Sequence, residues 1–363
     1  MTLLQETIKE IRPSDKKALE EAKLHIDNLA KPIGSLGKLE TIGAKFAGIT
    51  GKIINKVNKK TVVIMCADNG VCEEGVSAAP QNITTLMTYC FPKMTTGVGV
   101  LAEFTNSTLT IVDVGVKDEI NHPKILSKNV MHGTNNMSKG PAMTREQAIK
   151  AIEVGIEVVD DLAKQGYDLI GTGEMGIGNT STSTAVMAAL LSLNIDEVVG
   201  MGAGLTPEQF ENKKSVLKRA LDINKPDNED VIDVLCKVGG LDIAGMCGCF
   251  LGAAKNRLPI VIDGLISGVA ALCAYKLKPE TLDYMFASHK SEEKAVEHLF
   301  RELKINPMLD LNMRLGEGSG CPLAFNIIEA SLYMVSHMAS FNQVGIQEEE
   351  SKKLVDIRDK NNI

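Results

Sequence analysis

The sequence predicts an α/β protein: a Rossmann-like, mostly parallel sheet flanked by helices, with a small helical domain built from both chain ends. Three observations lead there. From Thr61 onward, short β-branched runs recur, each ending in Gly, Asp or Glu and most leading into a helical pattern, which is the signature of βα units. Both ends of the chain instead carry apolar residues at three- and four-residue spacing. A length of 363 residues with 44% hydrophobic content is enough for a large core and an appended smaller unit.

Residues 1–60 read as amphipathic helices broken at "KPIGSLG". The runs "TVVIMCAD", "TLTIVDVGV", "YDLIGTGE", "NIDEVVGMG" and "LPIVIDG" read as strands. Ligands of parallel sheets bind outside the carboxyl ends of the strands, where these glycines and acids would lie. After Pro307 the chain returns to helix, including "AFNIIEASLYMVSHMASF", and "EEESKKLVDIRDKNNI" reads as a frayed tail. The expected division is 1–60 with 325–363 as the helical domain and 61–324 as the α/β catalytic domain.

The net charge of −7 is spread through interspersed Lys, Arg, Asp and Glu, with no basic block, so nucleic acid is not an expected partner. No apolar run reaches about 18 residues and the start lacks a signal-like apolar region, so we expect a soluble cytoplasmic protein without a membrane partner. The eight cysteines sit mostly in apolar runs without C-x-x-C pairs, and the six histidines show no ligand spacing. Buried thiols and no metal are expected.

Several segments could carry chemistry. In "YDLIGTGEMGIGNTSTSTA", Gly171, Gly173 and Gly176 match G-x-G-x-x-G, with Asp196 about 20 residues beyond, as a dinucleotide fold wants. Glu174 opposes that reading, because it would meet a pyrophosphate. Gly178, Asn179 and Thr180, opening a Ser/Thr-rich helix, fit a single phosphate at a helix N-terminus; a turn chosen only for tight packing is the bland alternative. In "VVGMGAGLTPEQFENKK", Gly200, Gly202 and Gly204 precede a helix start at Thr206-Pro207. Lys213 in that helix is either a solvated surface lysine or a cation for an anionic substrate. Asp68-Asn69-Gly70 with Glu73-Glu74, and Asp263, either close turns and cap helices or face a ligand. Asp160-Asp161 read as exposed helix acids. In "NMRLGEGSGCPLA", Glu317 lies between glycines that would weaken a helix by roughly 1 kcal/mol each, which suits a close approach of backbone or ligand.

Taken together, "KPIGSLGKLE", "ADNGVCEEGVSAAPQNIT", "GTGEMGIGNTSTSTA", "IDGLISGVAAL", "ASHKSEE" and "LNMRLGEGSG" resemble, in order and spacing, the nicotinate-nucleotide dimethylbenzimidazole phosphoribosyltransferases of cobalamin lower-ligand synthesis. The resemblance runs from about Lys31 to about Ala330. It implies transfer of phosphoribose from nicotinate mononucleotide to a benzimidazole-type base without cofactor, by a homodimer. It also implies that Glu317 is the catalytic base and Glu174 the second acid. Gly176, Gly178, Asn179, Thr180, Gly202 and Gly204 would cradle the phosphate, with Lys213 and Ser291 beside them. Pro80, Gln81 and Leu315 would border the base pocket. Cys321-Pro322 replaces two small residues of the family pattern, Ala295 an expected glycine, and "TTGVGVLAEF" a Gly-Gly-Ala-rich version, which leaves the acceptor base open. A dinucleotide-dependent oxidoreductase and a non-catalytic partner subunit of a lower-ligand transferase are the alternatives.

Overall fold

In the computed structural model, residues 1–202, 204–347 and 356–358 are described; most of the expected frayed tail lies outside them. Helices α1 (Leu3–Glu10), α2 (Lys16–Asp27) and α3 (Lys38–Thr50) precede β1 (Lys60–Ala67). Helices α4 (Ile83–Cys90) and α5 (Gly97–Phe104) lead to β2 (Thr108–Gly115) and β3 (Ile125–Ser127), and α6 (Arg145–Lys164) leads to β4 (Leu169–Met175). Then follow α7 (Asn179–Leu191), α8 (Ile195–Val198), α9 (Pro207–Asn224), α10 (Val231–Val238) and α11 (Leu241–Lys255). The chain continues through β5 (Ile260–Ile262), α12 (Leu265–Leu277), β6 (Met285–Ala287), α13 (Val296–Leu303) and α14 (Gly320–His337).

The six strands form one parallel sheet in the order β3-β2-β1-β4-β5-β6. That is the doubly wound order, in which the chain starts in the middle and reverses direction between β1 and β4, leaving a crevice at their carboxyl ends. Every residue of β1 and β4 is buried, which accounts for near-continuous apolar runs in place of alternation. The edge strands β3 and β6 were not expected; three residues each are too few to show a period.

One expected strand is corrected. "NIDEVVGMG" forms the short helix α8, because the Asn194 side chain caps it by accepting the Asp196 N–H, and Ile195 and Val198 turn inward at helical spacing. Elsewhere, α6 and α11 cross backbone against backbone: a Cβ on Gly155 would stand 1.9 Å from the Gly245 carbonyl oxygen.

At the chain ends, α2, α3 and α14 enclose a cluster of Ala22, Ile26, Ala44, Ala47 and Val335. Helix α1 packs instead on α6 and α11, and its Leu4 joins the main core with Phe46 and Ile49 of α3. All eight cysteines are free thiols, six buried and Cys72 and Cys90 half-buried. No helix among the described residues is long and apolar enough to cross a membrane.

Candidate active site

A cleft of about 60 Å³ opens at the carboxyl ends of β4 and β5, lined by Glu174, Thr180, Asp263, Ser291, Arg314 and Leu315 among others. The loop that forms one wall holds Glu317 at φ +62°, between Gly316 at +86° and Gly318 at +88°. A glutamate in that left-handed region costs on the order of 1–3 kcal/mol, and persists where its surroundings over-determine it. They do so here. Asp263 accepts the Gly318 N–H (3.1 Å) and the Gly320 N–H (2.7 Å), and Glu174 Oε1 accepts the Glu317 N–H (3.1 Å). The loop lies so close on the sheet that a Cβ on Gly173 would stand 2.3 Å from the Glu317 carbonyl oxygen. The glycines of this segment therefore let backbone meet backbone beside the cleft, while the Glu317 carboxylate is turned toward the first turn of α5.

Glu317 Oε2 accepts the Val98 N–H at 3.1 Å, at the first turn of α5. Burial raises its pKa above the ordinary carboxylate range, and the Val98 and Gly97 N–H groups hold the rise in check. Glu174, at the end of β4, is pushed up to about 8 by burial, with the Asp242 and Asp263 charges reinforcing and the Asn179 and Glu317 donors opposing. The Asn179 amide donates both to Glu174 Oε2 (2.5 Å) and to Asp242 Oδ2 (2.9 Å). Burial also raises Asp242 to about 6 and Asp263 to about 7. Sequence reasoning missed Asp242; the available signal was a lone acid in the otherwise apolar "LDIAGMCGCFLG", now a helix buried along nearly its whole length. Asp263 spans from β5 to the Glu317 loop, a role neither of its expected readings contained.

Lys213 is 1% exposed, so the surface-lysine reading is corrected. Its ammonium donates to Thr180 Oγ1 (3.1 Å) and the Gly200 carbonyl (3.2 Å); burial lowers its pKa to about 8, with Glu293 opposing. A Cβ on Gly202 would lie 3.5 Å from Thr180 Oγ1 and 3.6 Å from Lys213 Nζ, so these three converge. Gly204 donates to the Gly202 carbonyl (2.9 Å), Gly178 is the left-handed residue before α7, and Ser291 lines the cleft. Gly176 stands apart, enclosed by the Ala67 carbonyl and Asp242, and Asn179 is committed to its two carboxylates. The base-pocket candidates are also separated. Leu315, 59% exposed, packs over Gly97 in the cleft, whereas Gln81 faces a groove of about 630 Å³ and Pro80 is exposed at the approach to α4.

The dinucleotide pattern is not realised as a turn. Gly171 and Gly173 lie inside β4, where they admit Cys321 and the Glu317 backbone, and Asp196 pairs with Lys218 at 2.7 Å on the surface. Asp160 and Asp161 lie on α6; Asp161 is exposed, but Asp160 is half-buried against Lys255 at 2.7 Å. Asp68 Oδ2 accepts the Lys117 N–H (2.8 Å), while Glu73 and Glu74 pair with Lys139 and Arg219. Cys321 and Pro322 are buried beneath the loop, the thiol against the Thr172 and Val261 carbonyls.

A carboxylate of raised pKa facing a cleft can take a proton from a weak N–H acid, and a buried ammonium among glycines and a hydroxyl can hold an anionic group. The sequence matches the model of a phosphoribosyltransferase family over residues 11–346. It is 54% identical over 360 residues to the nicotinate-nucleotide–dimethylbenzimidazole phosphoribosyltransferase of Clostridium tetani, covering 99% of each chain. Identity to the enzyme of that name from Ruminiclostridium cellulolyticum is 50% over 344 residues, 95% of this chain and 98% of the other. The crystal structure of the enzyme of that name from Thermus thermophilus superposes with a TM-score of 0.87 at 35% identity, covering 92% of this chain and 99% of that one. With the cleft at the carboxyl ends of β4 and β5 in a shared fold and matches along nearly the whole chain, this protein belongs to the nicotinate-nucleotide–dimethylbenzimidazole phosphoribosyltransferase family.

Proposed function

We propose that the chain moves phosphoribose from nicotinate mononucleotide to 5,6-dimethylbenzimidazole or a related lower-ligand base, giving α-ribazole 5′-phosphate and nicotinate in cobalamin nucleotide-loop synthesis. The observation that carries this reading is the pair Glu174 and Glu317, two buried carboxyl groups joined through the Glu317 N–H, the first lining the cleft and the second beside it. Nicotinate departs from a pyridinium-type bond as a neutral ring, so it needs no general acid. The acceptor differs: as one ring nitrogen attacks C1′, the other N–H becomes acidic, and Glu317 takes that proton. The pyridinium charge arriving beside Glu174 favours its ionised form, which then stabilises the oxocarbenium-like sugar. Lys213, Thr180 and Gly202 hold the phosphate, with Gly178 and Gly204 shaping the surrounding backbone. Attack from the face opposite the leaving ring turns a β-linked substrate into an α-linked product, and Leu315 borders the incoming base.

The test is incubation with nicotinate mononucleotide and 5,6-dimethylbenzimidazole, without metal or diphosphate-activated ribose, following nicotinate and the α-riboside phosphate by chromatography. Glu317→Gln is expected to lower kcat by about 10²- to 10⁴-fold. No nicotinate release with any acceptor ring would overturn the proposal. We further propose a cytoplasmic homodimer; light scattering at twice the 39.1 kDa chain mass supports that state, and the chain mass alone overturns it.

A further inference from the structure

The cleft contains a histidine to which neither acid–base chemistry nor phosphate binding gives a task. His289 is 3% exposed and lines the wall made by the "ASHKSEE" segment. Its Nδ1 lies 2.9 Å from Ser288 Oγ, and Ser288 Oγ lies 2.9 Å from the Asp263 carbonyl oxygen. A hydroxyl has one proton, and a carbonyl oxygen can only accept. The Ser288 proton therefore goes to Asp263, and Nδ1 of His289 must donate to Ser288. The Asp263 carboxylate, 3.8 Å from Nδ1, favours the same tautomer. Nε2 is left as an unprotonated acceptor with no partner among the described residues. Burial lowers the pKa of the ring, which keeps it neutral.

Next to this acceptor stands a donor. Ser291 Oγ accepts the Glu293 N–H at 3.3 Å, so its own proton is free to point into the cleft. Between the two lies Gly264, where a Cβ would sit 3.7 Å from Ser291 Oγ and 3.8 Å from His289 Nε2. The missing side chain thus leaves room for an atom within reach of both. An acceptor beside a donor matches a hydroxyl, which offers one of each; a phosphate oxygen, which can only accept, would face the lone pair of Nε2.

We propose that His289 and Ser291 together bind one ribose hydroxyl of the donor nucleotide across Gly264, making the site selective for ribose over deoxyribose. The assignment rests on the transferase reading and names how that site recognises the sugar. A pocket built to pair a hydroxyl rejects an analogue lacking it more strongly than it rejects a change in apolar shape, because its own polar groups are left unpaired.

The test compares nicotinate mononucleotide with its 2′-deoxy and 3′-deoxy analogues. His289→Asn keeps an amide N–H where Nδ1 donates to Ser288 and removes only the Nε2 acceptor. It is expected to lower kcat/KM for the ribonucleotide by about 10- to 100-fold while leaving the sensitive deoxy analogue, already slow with the wild type, unchanged. Gly264→Ala has an unstrained φ of −109° and ordinary contacts for its methyl group, so it is expected to fold and to raise KM for the ribonucleotide by filling the gap. Nitrogen NMR of the unliganded enzyme is expected to show the Nδ1–H tautomer at His289. An Nε2–H tautomer, a wild type indifferent to both deoxy analogues, or an equal loss in His289→Asn on all donors would overturn the assignment while leaving the transferase reading in place. Absence of transfer from the intact ribonucleotide by the wild type would overturn both.

Discussion

A lysine with 1% exposure is a poor guest of a protein interior unless an anion comes to meet it, and among the described residues Lys213 has a hydroxyl and a carbonyl as direct partners, with the Glu293 charge nearby. Lys213→Met is expected to raise KM for the donor nucleotide by roughly 10- to 100-fold with a smaller change in kcat, measured by steady-state kinetics. Since burial lowers its pKa to about 8, the wild-type KM should also climb as pH passes that value and the ammonium is lost. Glu317 gives the opposite limb. A base works only when deprotonated, and burial raises its pKa, so kcat should rise with pH through a midpoint above that of an ordinary glutamate. A profile already flat at the ordinary glutamate midpoint would contradict its assignment as base.

At the scale of elements, the contacts that place Glu317 are made to the backbone of its loop. The loop is sewn to β5 by Asp263 and to β4 by Glu174, and it lies against Gly173 without a side chain between them. Gly173→Ala is expected to lift the loop and lower kcat by about 100-fold, because displacement of a catalytic group by about 1 Å has that effect. The crossing of α6 and α11 is equally intolerant. Gly155→Ala should lower unfolding stability by roughly 1–3 kcal/mol or more, read from the urea midpoint, despite alanine's better helix propensity. We propose that α2, α3 and α14 form the helical unit expected from the chain ends; their shared cluster supports it, and the packing of α1 on α6 and α11 leaves α1 with the sheet.

For the whole molecule, buried acids make stability depend on pH. Glu174, Asp263 and Asp242 titrate near 8, 7 and 6 in the folded chain, above their ordinary values of 4.5 and 3.8. Between those ordinary values and the folded ones, the native state binds more protons than the unfolded state. Stability from these groups is therefore full at low pH and is lost as pH rises toward 8. The lowered Lys213 and Lys45 act with the opposite sign in a separate window, from about 8 up to 10.5. In a thermal series from pH 5 to 8, the Glu174→Gln midpoint is expected to fall less than that of the wild type; an equal fall would contradict the raised pKa.

The sequence by itself determined the class of fold, because fully buried parallel strands must be continuous apolar runs and the turns after them must carry glycine and acids. It also marked Glu317 and Glu174, since glutamates set among closely spaced glycines have no use in a helix and little in an ordinary strand. Local pattern misled at Ile195–Val198, where two apolar residues suit strand or helix and an asparagine cap decided the matter. Only the tertiary structure decided that Lys213 is buried, that Asp242 and Asp263 stand beside Glu174 and Glu317, and that His289 Nδ1 meets a Ser288 hydroxyl lying against the Asp263 carbonyl. Those facts depend on groups brought together from segments tens to more than a hundred residues apart, or on a hydrogen bond to a backbone carbonyl. Neither periodicity nor composition carries such information, because both describe what a residue does along its own element and not what another element brings to its side chain.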